Sequence, residues 1–437
     1  MAENTSRNLR SQVFYQIFVR NYKKGTFKAV MKDLDRIQEL GADWIYLLPV
    51  HPTGELHRKG SLGSPYAIRD YREVDPCLGT MEDFKALADA VHARGMKLMM
   101  DIVYNHTSPD SWLVQNHPEW FYHKSDGSMG NHVGDWWDVV DLDYDHPELW
   151  DYQIETLKFW AQYADGFRCD VAPMVPVPFW VKARAEVEKV KPGVVWLAES
   201  GEPRFIAYLR RMGVCGASDG ELYQAFDLCY DYDLYDEQKA VQLGELSLKE
   251  YLKGINLQEG LYPDNTSKLR FLENHDRPRA AALIPDRDAR YVWTAWLYFM
   301  KGAVLLYAGQ ETGCVRHPTL FDHDPVDFET GEYSLGYLRR LHEIKQDPLF
   351  LDSSFHAEAA GPDQSVIVAV HEGRTGSKGE GRKAVGIFPL HAKPCSVRVD
   401  LPDGTYTDAV SGNAAEVFEQ TLRCEGHAMI LFADTAE

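Results

Sequence analysis

The sequence predicts an α/β chain: a (β/α)8 TIM barrel with a short excursion after its third strand, followed by a C-terminal all-β sandwich. Three observations predict it. Short apolar runs alternate with amphipathic stretches through eight repeats between residues 12 and 350, which implies a parallel sheet, and eight repeats suit a closed barrel better than an open sheet. The alternation breaks once, between Thr107 and Asp145, where about 40 residues rich in Trp, His, Asp and Gly show no clear helix; so long a connection in a compact domain is usually functional. Beyond Leu351 the helical period disappears and short alternating runs take over. The resulting division is 1–106 and 146–350 for the barrel, 107–145 for the excursion and 351–437 for the β-domain.

Taken in order, "QVFYQIFV" reads as the first strand, "AVMKDLDRIQELG" as a helix with apolar residues three and four apart and a terminal Gly, and "ADWIYLLPV" as the second strand. "MEDFKALADAVHARG" is the next helix and "MKLMMDIVYNH" the third strand. After the excursion, "PELWDYQIETLKFWAQYA", "ADGFRCDVA", "PFWVKARAEVEKV" and "GVVWLAES" continue the alternation. "LYQAFDLCY", "SLKEYLKGI", "KLRFLENHD", "DARYVWTAWLYFM", "GAVLLYAGQE" and "SLGYLRRLHEI" complete it. The C-terminal runs are "SVIVAVHE", "KAVGIFPL", "SVRVDL", "TYTDAV" and "HAMILFA". "GRTGSKGEGR", Gly373 to Arg382, lies between two of them with no helix behind it, so it reads as a hairpin loop and not as a phosphate cradle.

Composition removes several functions. Lys and Arg total 46 against 66 Asp and Glu, a net charge of −20 over 437 residues, which repels phosphate backbones and anionic lipid surfaces. Neither a nucleic acid nor a membrane is expected as a partner. The N-terminal "MAENTSRNLRSQ" has no apolar core, and no run of about 18 apolar residues occurs, so a cytoplasmic protein is expected. Seven cysteines, scattered and without a CxxC pair, are expected to be reduced and mostly buried. The Asn-x-Ser/Thr matches at Asn4, Asn105 and Asn265 are taken as chance, and no HExxH pair suggests zinc.

In such a barrel, reacting groups project from the C-terminal strand ends. Asp101, Asn105 and His106 follow the third strand, Arg168 and Asp170 the fourth, Glu199 the fifth, and His275 and Asp276 the seventh. One carboxylate could cap a helix, but four strand ends converging with an Arg and two His form a site. "GFRCDVAP" sharpens this, because alternation sends Phe167, Cys169 and Val171 to one side and puts Arg168 and Asp170 together on the other. A buried ion pair gives little stability by itself, so this pair needs another role. Carboxylates with an Arg and no activated Ser or Cys suit a reaction that builds positive charge on the substrate, as glycoside cleavage does. Asp170 is then the nucleophile, kept ionised and oriented by Arg168. Glu199, after apolar "VVWLA", is the carboxyl held protonated until it donates, and Cys169 is a packing residue.

These motifs resemble those of the α-amylase family, glycoside hydrolase family 13, over nearly all of the chain. "DIVYNH" resembles the first family motif, with Asp101, Asn105 and His106. "GFRCDVA" resembles the second, with Arg168 and nucleophile Asp170; "WLAES" the third, with acid/base Glu199; and "FLENHD" the fourth, with His275 and the transition-state stabiliser Asp276. "SPYAIRDY" resembles the stretch whose tyrosine stacks on the sugar, here Tyr66. The resemblance implies hydrolysis of maltooligosaccharides or other α-glucans with retention and without a cofactor. Glycosyl transfer, by a glucanotransferase, maltosyltransferase or phosphorylase, uses the same residues and stays open, since "HPTGELHRKGSLGSPY" resembles a loop of intracellular amylases and neopullulanase-like enzymes and, more distantly, of maltosyltransferases. A catalytically dead relative would have lost carboxylates, and this chain keeps them. Many amylases hold calcium through this Asn and a His shortly after the nucleophile. "DVAPMVPVP" has no such His, and "NYKKGTFKA" lacks an oxygen-rich loop, so no metal is expected. Of Trp112, Trp120, Phe121, Trp136 and Trp137, one or two are expected to line acceptor subsites.

Overall fold

The computed structural model describes residues 4–329 and 334–435. The first three residues of the N-terminal stretch and the last two of the C-terminal segment lie outside the described residues. Eight parallel strands close a barrel: β1 (Val13–Ile17), β2 (Trp44–Leu47), β3 (Lys97–Ile102), β4 (Gly166–Cys169), β5 (Val195–Ala198), β6 (Leu228–Tyr230), β7 (Ser267–Arg270) and β8 (Ala303–Tyr307). Pairing of Val13 with Val304 joins β8 to β1. Most of the strands are near-continuous apolar runs because both faces are covered; β7, with Ser267, Lys268 and Arg270 around Leu269, is not. Phe14, Trp44, Tyr46, Met99, Leu197 and Leu305 fill the interior, while Tyr15, Ile45, Leu98, Phe167 and Trp196 pack outward with the helices, as a period of two requires.

The helix of residues 81–95 matches expectation over Met81–His92, with a capping box between Thr80 and Asp83 and Phe84, Leu87, Ala88 and Val91 buried. The stretch of residues 29–41 differs. It forms two short helices, Phe27–Met31 and Leu34–Glu39. Between them Asp33 accepts from the Tyr22 hydroxyl and from Arg36 Nε (2.9 Å) and pairs with Lys23 (2.6 Å), which ties the backbone down at the break. The seventh strand also ends early, at Arg270, so Phe271 to Asp276 form a loop over the barrel mouth.

In the stretch between β3 and the helix Pro147–Ala161, the two-residue strands His106–Thr107 and Val140–Asp141 pair antiparallel, and a short helix, Trp112–Asn116, is capped by Ser111. Trp120 and Phe121 are buried there. Among the described residues the C-terminal segment has eight strands: β9 (Ser353–Ala360), β10 (Val366–Gly373), β11 (Arg382–Pro389), β12 (Cys395–Arg398), β13 (Gly404–Thr407), β14 (Ala414–Phe418), β15 (Thr421–Cys424) and β16 (Met429–Asp434). They form two antiparallel sheets, ordered β9-β10-β11-β16 and β12-β15-β14-β13. Val368, Val385, Ile387, Val397, Leu422 and Leu431 pack together between them. Residues 373–382 form the hairpin between β10 and β11. The first sheet rests on the barrel through Phe388 against Trp296, with ring centroids 5.5 Å apart.

Candidate active site

The site is built around one cation. Arg168 on β4 is fully buried, its guanidinium flanked by the rings of Tyr66 (5.6 Å) and Tyr230 (5.8 Å). The β3–β4 register sets Asp101 beside Arg168, and laterally paired residues of parallel strands point to the same side of the sheet. Arg168 Nη1 therefore donates both to Asp101 Oδ1 (2.6 Å) and to Asp170 Oδ1 (3.0 Å), while Nη2 lies 3.0 Å from Glu199 Oε1. The expected pair of Arg168 and Asp170 is present. Yet the shortest bond goes to Asp101, and three carboxyls share the guanidinium. Glu199 Oε2 also accepts the Val171 N–H at 2.7 Å. Val171 is left-handed, at φ 39° and ψ 42°, a conformation that costs a β-branched residue on the order of 1–3 kcal/mol. Here it aims the N–H at Glu199.

Three carboxyls around one guanidinium cannot all ionise cheaply. Burial, then the neighbouring Glu199, pushes Asp170 well above the ordinary carboxylate range against the pull of Arg168. Burial likewise pushes Asp101 up to about 6, again opposed by Arg168. Asp101 and Asp170 then titrate together and not one by one. The sequence reading puts a proton on Glu199 and the charge on Asp170. Enclosure raises Asp170 and Asp101, whose side chains are 8% and 0% exposed.

The other expected residues converge here too. Gln16 Nε2 faces His275 Nδ1 (3.1 Å), and His275 Nε2 lies 2.6 Å from the Tyr66 hydroxyl and 3.1 Å from Asp276 Oδ2. With Gln16 donating, His275 carries its proton on Nε2. Tyr66 in turn donates to Asp101 Oδ2 (3.1 Å) and stacks on His275. Burial and Arg168 hold His275 well below the usual imidazole range, so it is neutral. His106, lowered by burial, sits 3.9 Å from Asp170 Oδ2 and receives Asn105 Nδ2 at Nδ1 (3.1 Å). Sequence reasoning missed Gln16, Tyr46, which donates to Asp101 Oδ2 (3.0 Å), and Tyr230. A polar atom on the inward side of an apolar strand was the available signal.

Comparison with known proteins follows the same outline. The family description "Alpha amylase, catalytic domain" matches residues 12–138 and 118–348, and "Bacterial Alpha amylase C-terminal domain" matches 358–431. The chain belongs to the α-amylase family. The crystal structure of an α-amylase from Lactobacillus plantarum is 42% identical, with a TM-score of 0.94 over 98% of this chain and 100% of that one. Alpha-amylase MalA of Haloarcula japonica is 28% identical over 424 residues, 92% of this chain. An α-1,4-glucan:maltose-1-phosphate maltosyltransferase of Myxococcus xanthus is 32% identical over 231 residues, 47% of this chain. The aligned regions make up only 58% and 35% of those two relatives. Among the described residues no helix is long and apolar enough to cross a membrane.

Asn105 and Asp141, the Asn and an acidic residue of the excursion, bond to protein groups. Asn105 turns its amide nitrogen, not its oxygen, to Asp141 Oδ1 (3.3 Å), and Asp141 Oδ2 is taken by the His132 backbone N–H (2.8 Å) and Nδ1 (2.7 Å). Calcium needs six to eight oxygen ligands. Among the described residues no three His, Cys, Asp or Glu side chains converge as metal ligands. Prolonged EDTA treatment is therefore expected to leave the melting temperature unchanged; a drop restored by calcium but not magnesium would refute this.

Proposed function

We propose that this α-amylase family chain is a retaining hydrolase of α-glucosidic bonds in maltooligosaccharides and related α-glucans. Asp170 is the nucleophile, Glu199 the acid/base and Asp276 the stabiliser of positive charge. Tyr66, Asp101, His106, Arg168 and His275 hold the sugar that is attacked. One observation carries this reading: neighbouring nitrogens of the Arg168 guanidinium clasp both Asp170 and Glu199. Two carboxyls held on one guanidinium suit the close arrangement of retaining enzymes, about 5 Å apart, better than the separation of about 6.5–9.5 Å that admits a water between them.

Chemistry needs a proton on Glu199 and the charge on Asp170. A glycosidic oxygen arriving beside Glu199 favours that arrangement by offering the proton an acceptor. Asp170 then attacks the anomeric carbon as the glycosidic bond breaks and the Glu199 proton passes to the departing oxygen. Glu199, now a carboxylate, takes a proton from water, whose oxygen attacks the same carbon and expels Asp170. Two inversions keep the α configuration. Proton NMR in the first minutes of maltooligosaccharide cleavage, before mutarotation, is expected to show the α-anomer of the new reducing end. A β-anomer appearing first would overturn the roles of Asp170 and Glu199.

A second reading is transfer, favoured by the match to a maltosyltransferase. An acceptor sugar or phosphate would replace water in the second step, and products formed with and without each acceptor separate the two. Trp136, whose ring lies 5.6 Å from that of His106, and the exposed Trp137 are the aromatics best placed to meet sugars beyond the cleavage point. We also propose the division into barrel (1–106, 146–350), excursion (107–145) and β-domain (351–437), and a cytoplasmic location, which goes with seven free cysteines.

A further inference from the structure

Cys395 begins β12 and Cys424 ends β15, and the antiparallel register sets the two directly opposite each other. Opposed residues of such a pair have Cα atoms about 4.5–5.5 Å apart, within the range of about 4.4–6.8 Å that a disulfide spans. Their side chains share one face of the sheet. Both are free thiols. Their accessibility differs. Cys395 is half-buried and lines a cavity of about 600 Å³ whose walls include Lys393, Arg423 and Asp363. Cys424 is buried, with its thiol donating to the His427 carbonyl at 2.9 Å.

We propose that Cys395 and Cys424 form a thiol–disulfide exchange site that is oxidised by a small disulfide entering past Lys393 and Arg423 of this cavity. Cys395 Sγ attacks one sulfur of the incoming disulfide; that bond breaks, and the first small thiol leaves with the Cys395 proton. Cys424 Sγ then attacks the Cys395 sulfur of the mixed disulfide, and the second small thiol leaves with the Cys424 proton. Two protein thiols are oxidised to one disulfide while one small disulfide is reduced to two thiols. The cross-link staples β12 to β15 in the C-terminal sheet that does not touch Arg168 or its carboxyls. It stands independently of the glycosidic reading.

The test uses oxidised glutathione on the full chain carrying Cys77→Ser and Cys215→Ser, which remove the two exposed thiols. The intact mass is expected to fall by two hydrogen atoms, and a non-reducing digest to join the peptide of Cys395 to that of Cys424. Adding Cys424→Ser should stop the reaction at one glutathione carried on Cys395. Adding Cys395→Ser should prevent both adduct and cross-link. An unchanged mass, a lasting glutathione adduct while both cysteines are present, or a cross-link to a different cysteine would each overturn the proposal.

Discussion

Asp170→Asn is expected to fold normally and to lose nearly all turnover, by roughly four orders of magnitude or more. An amide can still accept the Arg168 Nη1 bond now held by Asp170 Oδ1 (3.0 Å), so the guanidinium keeps its geometry. It cannot form the glycosyl ester, and the reaction has no second nucleophile placed to do so. Stability should not suffer, because burial and Glu199 already push the Asp170 carboxyl towards its neutral form, which an amide mimics. Turnover at saturating maltooligosaccharide, measured beside a thermal melt, checks both halves. Activity within about tenfold of the parent would remove Asp170 from the nucleophile's position.

Arg168→Lys is expected to cost both rate and stability. A planar fork can serve Asp101, Asp170 and Glu199 together, whereas a lysine ammonium is a single point charge on a flexible stem. Breaking a largely buried charge network leaves carboxyls uncompensated, at a cost of up to about 3–5 kcal/mol when the partner is lost outright; lysine should recover part of this. Turnover should fall on the order of a hundredfold, the loss expected when a reacting group is misplaced by about 1 Å. The pH profile carries a further signature. Arg168 lowers the pKa of both Asp101 and Asp170 against burial, so weakening it raises them, and the acid limb of kcat/KM should move to higher pH. A silent substitution, or a limb moved to lower pH, would show that Arg168 does not organise the cluster.

Much of this site was legible beforehand because the polar residues interrupt apolar strands. Asp101 closing "MKLMMD" and Glu199 closing "VVWLAE" stand out against buried neighbours, and every residue expected at the site is found at the barrel mouth. What was not legible is the partner each one takes. Gln16 and Tyr46 lie on β1 and β2, far in sequence from His275 and Asp101, and only closure of the barrel brings them together. Of the aromatics in the excursion, Trp120 and Phe121 went to its core and Trp136 to His106. Composition alone could not sort them.

By itself the sequence determined the alternation that makes the barrel, the change to short strands after Leu351 and the four strand ends that carry the carboxyls. These are local properties, because side-chain periods of 2.0 and 3.6 record which face of an element is buried. Tertiary structure alone decided that Arg168 serves three carboxyls, that burial raises Asp170 and Asp101, and that Cys395 meets Cys424. Each of these depends on register between strands distant in the chain, and on how completely the assembled barrel or sheet excludes water. Periodicity within a segment contains neither.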